Sequence, residues 1–266
     1  MVLRSVVLLG LVLTVITGYS QEQDQAAKQS SDSLVAVAVT PAKAEAPAKA
    51  KKTKRPEIPG SIIVELGVNL KNGVVPPDFQ KGLWGSRTFN VYYQYQIQIA
   101  RSRISLVPGI GLSLERWKFT NNYTLSPEPL LDGSHPLLPA KDILPGATIN
   151  RSQLVNNYVE IPLEIRYDSS PEDISRSFNV AFGGRVGILY DSFTKIDYNE
   201  NSEHKSLKDK QLHGMNQFRY GVYGRVGLGG FSLFTYYNLS PMFATGEGPI
   251  QTKMNSVTIG IAISGF

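Results

Sequence analysis

Residues 158–167 read YVEIPLEIRY, and this stretch indicates the fold more directly than any other part of the chain. Apolar side chains occupy its odd positions from Val159 to Tyr167, whereas Glu160, Glu164 and Arg166 occupy even positions. Side chains of a β-strand alternate between two faces with a period of two residues, while the period of a helix is 3.6. The stretch therefore predicts a strand with one apolar face and one charged face.

The same alternation returns along the chain from Ser61 to Phe266. Seven further stretches show it, at residues 62–70, 89–99, 104–114, 178–190, 218–228, 231–239 and 257–263. A tilted strand that crosses a membrane needs about 9–11 residues, and bacterial outer-membrane barrels have an even number of antiparallel strands. We therefore predict an all-β fold for residues 61–266, an eight-stranded antiparallel up-and-down transmembrane β-barrel.

The connections between the predicted strands alternate in length. Arg101–Arg103 and Gly229-Gly230 are short, whereas Lys71–Gly85, Lys118–Gln153 and Ser192–Gln217 are long. Short turns in the periplasm and long loops outside are typical of outer-membrane barrels. We therefore predict an outer-membrane location with the N- and C-termini in the periplasm. The charged composition of Ser192–Gln217 also predicts a mobile loop there.

Aromatic residues of the apolar face lie near the ends of the predicted strands. Phe89, Tyr190, Phe218, Tyr220 and Tyr237 lie near the long loops, and Tyr167, Phe178 and Phe231 near the short turns. Aromatic rings prefer the two membrane–water interfaces, so this placement predicts two girdles around an aliphatic belt.

The last residue of the sequence, Phe266, is a terminal aromatic residue at the end of a predicted strand. It is similar to the signal that the outer-membrane barrel assembly machinery recognises, so we expect that machinery as a partner during biogenesis. Phe266 is even-numbered, however, while the apolar face of its strand is odd-numbered. A bulge or bend at Ser264-Gly265 would restore the phase.

The N-terminal region has the composition of a targeting segment followed by a linker. Arg4 precedes an apolar run at Val6–Ile16, which is too short to span a bilayer, so residues 1–20 are predicted to be a signal peptide cleaved before Gln21. Residues 21–60 are rich in Ala, Lys and Pro and cannot bury enough apolar surface to fold, which predicts a disordered periplasmic linker. This linker is either a spacer or a basic tether to peptidoglycan or a protein.

Two of the strand sequences carry a family resemblance. Residues 158–167 resemble a motif of the PorT-like outer-membrane β-barrel family, often labelled "porin family", and Pro108-Gly109-Ile110-Gly111 resembles its third strand. The resemblance covers residues 61–266 and implies an eight-stranded barrel in the outer membrane of a Gram-negative cell. It implies no single activity, because one branch is associated with protein secretion while most members have no assigned role.

The polar face of the predicted strands is rich in paired charges. It carries Glu65, Glu115, Glu160, Glu164, Arg166, Arg185, Arg219 and Arg225. The fork of an arginine side chain can bridge several carboxylates, and the interior of an eight-stranded barrel is only wide enough to be filled by side chains. We therefore predict an ion-pair network that closes the lumen, rather than an open porin channel.

The sequence offers little support for catalysis or for nucleic-acid binding. It has no cysteine, and its three histidines, His135, His204 and His213, all lie in predicted loops. Ser134 beside His135 and Glu203 beside His204 are the only hints of a lipid-modifying enzyme. Net charge from Ser61 onward is only +2, so we expect no nucleic-acid partner, and no cofactor motif is present.

We therefore expect a non-enzymatic outer-membrane protein in contact with outer-membrane lipid, with an assembly, interaction or structural role. A protein partner is expected either at the linker or at Lys118–Gln153, because that loop is unusually apolar. Its apolar residues include Leu130, Leu131, Leu137, Leu138, Ile143 and Leu144. A small-solute channel and, less favoured, a lipid-modifying enzyme are the alternatives.

Overall fold

The computed structural model of the protein describes residues 60–100, 102–171, 176–249 and 252–265. The predicted signal peptide, the predicted linker up to Pro59 and the predicted assembly signal Phe266 lie outside the described residues. Among the residues described, no helix is long and apolar enough to cross a membrane. The proposed domain boundaries therefore stay predictions.

The described chain consists almost entirely of β-strands. In chain order the strands are β1 (Ser61–Val74), β2 (Arg87–Gln94), β3 (Ile97–Gln98), β4 (Ile104–Phe119), β5 (Tyr123–Leu125), β6 (Leu137–Pro139), β7 (Thr148–Asp168), β8 (Phe178–Glu200), β9 (Glu203–Asp209), β10 (Phe218–Leu228), β11 (Phe231–Asn238) and β12 (Lys253–Ser264). One short helix, α1 (Ala140–Ile143), follows β6.

Eight of these strands form a closed barrel. Each pairs antiparallel with its neighbour in the order β1, β2, β4, β7, β8, β10, β11 and β12, and β12 pairs with β1, for example Leu66 with Ile261. The hairpin between β10 and β11 is only Gly229-Gly230, where Gly229 has a φ of 58°. Such tight hairpins favour glycine because their turns need positive φ. The predicted fold, an eight-stranded antiparallel barrel, is confirmed.

The two faces of the barrel wall have opposite chemistry. Along β1 the odd positions Ile63, Glu65 and Asn69 are buried in the interior, whereas Ile62 and Leu66 are exposed on the outside. Similar exposed apolar residues continue around the wall on every barrel strand. A wall that is apolar outside and polar inside suits lipid around it, which is the pattern of transmembrane barrels.

The second predicted strand is interrupted at Tyr95. β2 ends at Gln94 and β3 begins at Ile97, while the Tyr95 N–H donates to the Pro108 carbonyl over 3.0 Å. In an antiparallel ladder the partner residue would return an N–H of its own, but proline has none. The interruption therefore follows from Pro108 on the neighbouring strand.

The long segment between the fifth and sixth barrel strands is not the mobile loop that its charges predicted. β8 continues to Glu200 and pairs with β9, so that Ser192–Asp209 is mostly an ordered hairpin. Its two-residue turn is Asn201-Ser202, with φ values of 50° and 65°. Both residues adopt the positive φ of a tight type I′ turn, and Ile196 is buried against Ile149 of β7. The prediction was wrong because it weighed charge and overlooked these strand-forming residues.

The connection Lys118–Gln153 is also largely ordered. β5 pairs with β6, and α1 leads into the long strand β7. Leu137 packs against one buried cluster, and Ile143 and Leu144 pack against another. We use the name ectodomain, purely as a label for one end of the barrel, for residues 123–157 and 191–210. These residues include β5, β6, α1, β9 and the parts of β7 and β8 that continue past the end of the pairing between β8 and β10.

Candidate functional site

The interior of the barrel holds a network of buried ion pairs, which is the first candidate site. Arg219 of β10 is its most connected cation. Its guanidinium donates to Glu160 over 2.5 Å, to Glu115 over 2.9 Å and to the Ser113 hydroxyl over 2.8 Å. The same group lies 3.8 Å from the ring centroid of Tyr158. Arg219 therefore joins β10 to β7 and β4, which lie two and three strands away around the barrel.

Arg185 of β8 makes a second set of contacts across the lumen. It donates to Glu65 of β1 over 2.7 Å and to the Tyr92 hydroxyl over 3.2 Å. Tyr92 in turn donates to Glu160, which links the two arginine clusters. The Arg185 guanidinium also lies 4.0 Å from the ring centroid of Tyr223. Both side chains of the Arg185–Glu65 pair are at most 2% exposed, so the pair is excluded from water.

Glu164 is the centre of the third cluster, nearest the short turns. It accepts from Arg225 and from the Tyr223 hydroxyl, the latter over 2.8 Å. Arg166 donates to the other oxygen of Glu164 over 2.9 Å through Nε and to Gln94 over 3.2 Å. The structure thus brings all eight predicted lumen residues into ion pairs, with four carboxylates matched by four guanidinium groups.

Sequence reasoning did not assign a role to the tyrosines of the polar face. Tyr92, Tyr158, Tyr223 and Tyr236 are all buried inside the barrel, where they contact arginine side chains. Each tyrosine lies on the polar face of its strand, in alternation with the outward-facing apolar residues. This alternation was the signal that could have identified them as lumen residues. A buried tyrosine has an apolar ring and one polar tip, so it can fill space between ion pairs and bind them.

A compact apolar cluster follows the network toward the long loops, and we call it the cap. It consists of Phe79, Trp117, Phe119, Leu125, Leu154, Tyr158, Leu189, Met215, Met242, Phe243 and Met254. On β4, Trp117 and Phe119 are the next inward positions after Glu115 of the network. Phe79 packs edge-on against Phe119 with ring centroids 5.1 Å apart. The polar inner face predicted from sequence therefore becomes apolar at this end.

The residues behind the enzyme alternative do not assemble a nucleophile and a base. The Ser134 hydroxyl donates to Asp132 over 2.6 Å, while His135 Nδ1 lies 2.9 Å from the Ser126 carbonyl. His204 Nδ1 lies 3.1 Å from the Asn199 side-chain oxygen. Within the described ranges, no serine hydroxyl is bonded to an imidazole, and no group of three His, Asp or Glu side chains could hold a metal ion.

The closed barrel and its paired interior agree with a comparison to known families, in which residues 54–244 match the family described as "Outer membrane protein beta-barrel domain". The chain belongs to this family. Membership places the protein in the outer membrane as an integral β-barrel. No curated protein sequence matches the chain.

Several solved structures are similar to this chain at very low identity. Neisserial surface protein A is 9% identical with a TM-score of 0.35, over 77% of this chain and 95% of that chain. The attachment invasion locus protein Ail of Yersinia pestis, solved with the heparin analogue sucrose octasulfate, is 12% identical with a TM-score of 0.31, over 77% and 99%. A porin mutant of Rh. blastica is 9% identical with a TM-score of 0.18, over 77% and 99%.

Proposed function

We propose that the protein is a non-enzymatic outer-membrane barrel with a closed lumen, and that its ectodomain makes the contacts on which its function depends. One observation carries this proposal: the charge-balanced network and the cap occupy the interior. An assembly, adhesion or structural role is compatible with such a barrel, whereas a solute channel needs an open path. The narrower PorT-like assignment, and with it a role in secretion, stays a prediction.

The network supports a closed lumen because its side chains connect distant parts of the wall. Arg185 reaches from β8 to Glu65 on β1, and Arg219 from β10 to Glu115 on β4. The members of these two pairs are at most 5% exposed. An interior of this size has room for side chains but not for side chains and a water column together.

Purified protein in planar bilayers is expected to show no stable, large conductance. The physical reason is that the guanidinium and carboxylate groups neutralise one another inside the barrel and leave no hydrated path past the cap. The control for insertion is the heat-modifiable gel mobility of the unmodified protein reconstituted in vesicles of the same lipid. A reproducible conductance of the general-porin type from the unmodified protein would reject the closed lumen and favour the channel alternative.

The orientation of the barrel follows from the unequal size of its two ends. β7 and β8 have 21 and 23 residues, about twice the 9–11 that a membrane crossing needs. Their excess lies at the end that carries the ectodomain, while the opposite end has tight turns such as Gly229-Gly230. We infer that the ectodomain is extracellular and that the short turns, with the start of β1 and the end of β12, are periplasmic.

A membrane-impermeant maleimide is expected to label Leu131→Cys on intact cells. The chain has no native cysteine, so a single introduced thiol reports one position only. Leu131 is fully exposed in the ectodomain, whereas Arg103 lies at a short turn. Arg103→Cys is the matched control and should be labelled only after the outer membrane is permeabilised. The reverse pattern of labelling would overturn the orientation.

The part of the ectodomain best suited to a protein partner is the turn between β5 and β6. Leu131 and its neighbour Leu130, which is 47% exposed, project from it. The turn is held by hydrogen bonds, because the Leu130 N–H donates to the Ser134 carbonyl over 2.8 Å. The Ser134 hydroxyl and N–H both donate to Asp132, and these bonds lower the pKa of that carboxyl. A fixed turn with two exposed leucines offers a partner protein an apolar surface to bury.

The double variant Leu130→Ser and Leu131→Ser is expected to lose a protein crosslinked to the unmodified barrel in intact outer membranes. These leucines are exposed, so the variant should fold, whereas Leu137 packs on the cap and would confound the result. Deletion of residues 25–56 tests the linker separately. Loss of the crosslink only on that deletion would move the partner site to the linker, and an unchanged profile in both variants would favour a structural role.

A further inference from the structure

A row of positive side chains lies on the outer surface of the barrel, just past the apolar band on the ectodomain side. Glu115 and Trp117 of β4 point inward. Because side chains of a strand alternate, Arg116 and Lys118, which each follow one of them, point outward. Arg87, next to the inward-facing Thr88 of β2, stands beside them in the sheet, because Thr88 pairs with Glu115. These three cations form one surface that we call the basic row.

The basic row borders a polar cavity of 230 Å³. Arg151 of β7 and Trp84 complete its lining together with Gly85 and Gln153. Trp84 is 81% exposed, which is unusual for so large an apolar ring in water but typical of a ring at a membrane–water interface. We therefore infer that the cavity lies at the level of the lipid headgroups.

The charges of the basic row are not neutralised by the protein. In the part of the chain that the structure describes, no carboxylate lies within 4.0 Å of the side chains of Arg87, Arg116 or Lys118. Arg151 lines the same cavity but does not belong to the basic row, and it pairs with Asp197 over 2.5 Å. Cations gathered without a counter-charge create a local positive potential, which attracts an anion.

A second cavity of 370 Å³ continues from the first toward the membrane. Arg87 and Arg116 line both cavities, so the two are adjacent. The rest of the second one includes the outward-facing Leu66, Phe89 and Leu114. A positive cavity above an apolar groove in the lipid-facing wall is complementary to one kind of molecule, an amphiphile with an anionic head.

We propose that the basic row binds a phosphorylated lipid of the leaflet that surrounds it, with the phosphate between Arg87, Arg116 and Lys118 and an acyl chain along Leu66, Phe89 and Leu114. Arginine forks match the oxygens of a phosphate and are preferred for such contacts. The proposal goes beyond the ectodomain function above and requires only that the barrel sits in a membrane. The lipid would fix the tilt and depth of the barrel on the side where β4 and β7 rise out of the bilayer.

The test is native mass spectrometry of the purified barrel in detergent, titrated with phosphatidic acid as the anionic probe and phosphatidylcholine as the zwitterionic one. We expect one phosphatidic acid to be retained in preference to phosphatidylcholine. The triple variant Arg87→Gln, Arg116→Gln and Lys118→Gln should weaken its retention about tenfold or more, because each lost charged hydrogen bond is strong. A matched triple variant, Lys141→Gln, Lys205→Gln and Lys210→Gln, removes three cations of the ectodomain and should bind as the unmodified protein does.

Three results would overturn the proposal. Equal retention by the basic-row variant would reject the site. Equal retention of phosphatidylcholine, whose phosphate is balanced by its choline, would reject recognition of an anionic head. Competition by glycerol 3-phosphate as effective as that by the lipid would identify a site for free phosphate instead. If the proposal is right, Leu114→Ser should weaken the retention of the lipid but not the binding of glycerol 3-phosphate. The three basic side chains lie on the surface, so the variants should assemble. If the triple variant fails to assemble, retention of phosphatidic acid by the single variant Arg116→Gln decides the test. A barrel that conducts ions would contradict the closed lumen without affecting this result.

Discussion

Arg185→Leu is expected to destabilise the barrel by roughly 3–5 kcal/mol, the usual cost of removing one partner of a buried pair. Arg185 is the only ion-pair partner of Glu65 among the described residues, and Glu65 is fully buried. Leucine would fill part of the space but would leave that carboxylate without a counter-charge. Urea unfolding in phosphatidylcholine vesicles, followed by the loss of heat-modifiable gel mobility, measures the change in the free energy of unfolding.

Two further variants separate the loss of a charge partner from the loss of packing. The double variant Arg185→Leu and Glu65→Leu leaves no unpaired charge and should recover much of the lost stability, since replacing both members of a buried pair by apolar residues is often nearly neutral. Arg103→Leu, at an exposed turn, should change the free energy of unfolding little. A double variant as unstable as Arg185→Leu alone would show that Arg185 acts through its ring contacts rather than through Glu65.

Gly221→Val is expected to prevent correct assembly or to destabilise the barrel strongly, whereas Gly184→Val should be tolerated. The two glycines lie on adjacent strands but face opposite sides of the wall. A Cβ at Gly221 would lie 2.7 Å from the Tyr236 hydroxyl and 2.3 Å from the Tyr237 carbonyl. A Cβ at Gly184 would meet only the Gly221 carbonyl, at 3.5 Å, and would point into lipid.

The measurement is the fraction of each variant that reaches the heat-modifiable, membrane-inserted form after refolding into vesicles. Overpacking a filled core typically costs about 1–3 kcal/mol, and here the nearest atoms include backbone that cannot rotate away. Gly221→Ala is the milder companion and should fall between the unmodified protein and Gly221→Val. Equal folding of Gly221→Val and Gly184→Val would contradict a densely filled lumen and with it the proposal of a closed lumen.

The number of barrel strands, their direction and their faces could be read from the sequence, because alternation is a local property. Each side chain takes its face from its own position in the strand, as Glu160 and Ile161 illustrate. The interruption at Tyr95 could not be read in this way, because its cause is Pro108 on the neighbouring strand. The hairpin of β8 and β9 was missed for a different reason. Most of its residues are charged or polar, and the few buried positions that order it, such as Ile196, were not recognised.

The identity of the lumen charges was determined by the sequence, but their pairing was decided only by the tertiary structure. Strand phase places Glu115, Glu160 and Arg219 inside any barrel of this sequence. Which carboxylate meets which guanidinium depends on the register between strands and on the closure of β12 onto β1, and these bring together residues as far apart as Glu65 and Arg185. The cap and the basic row arise in the same way, since each gathers side chains from several strands and loops that have no common local pattern.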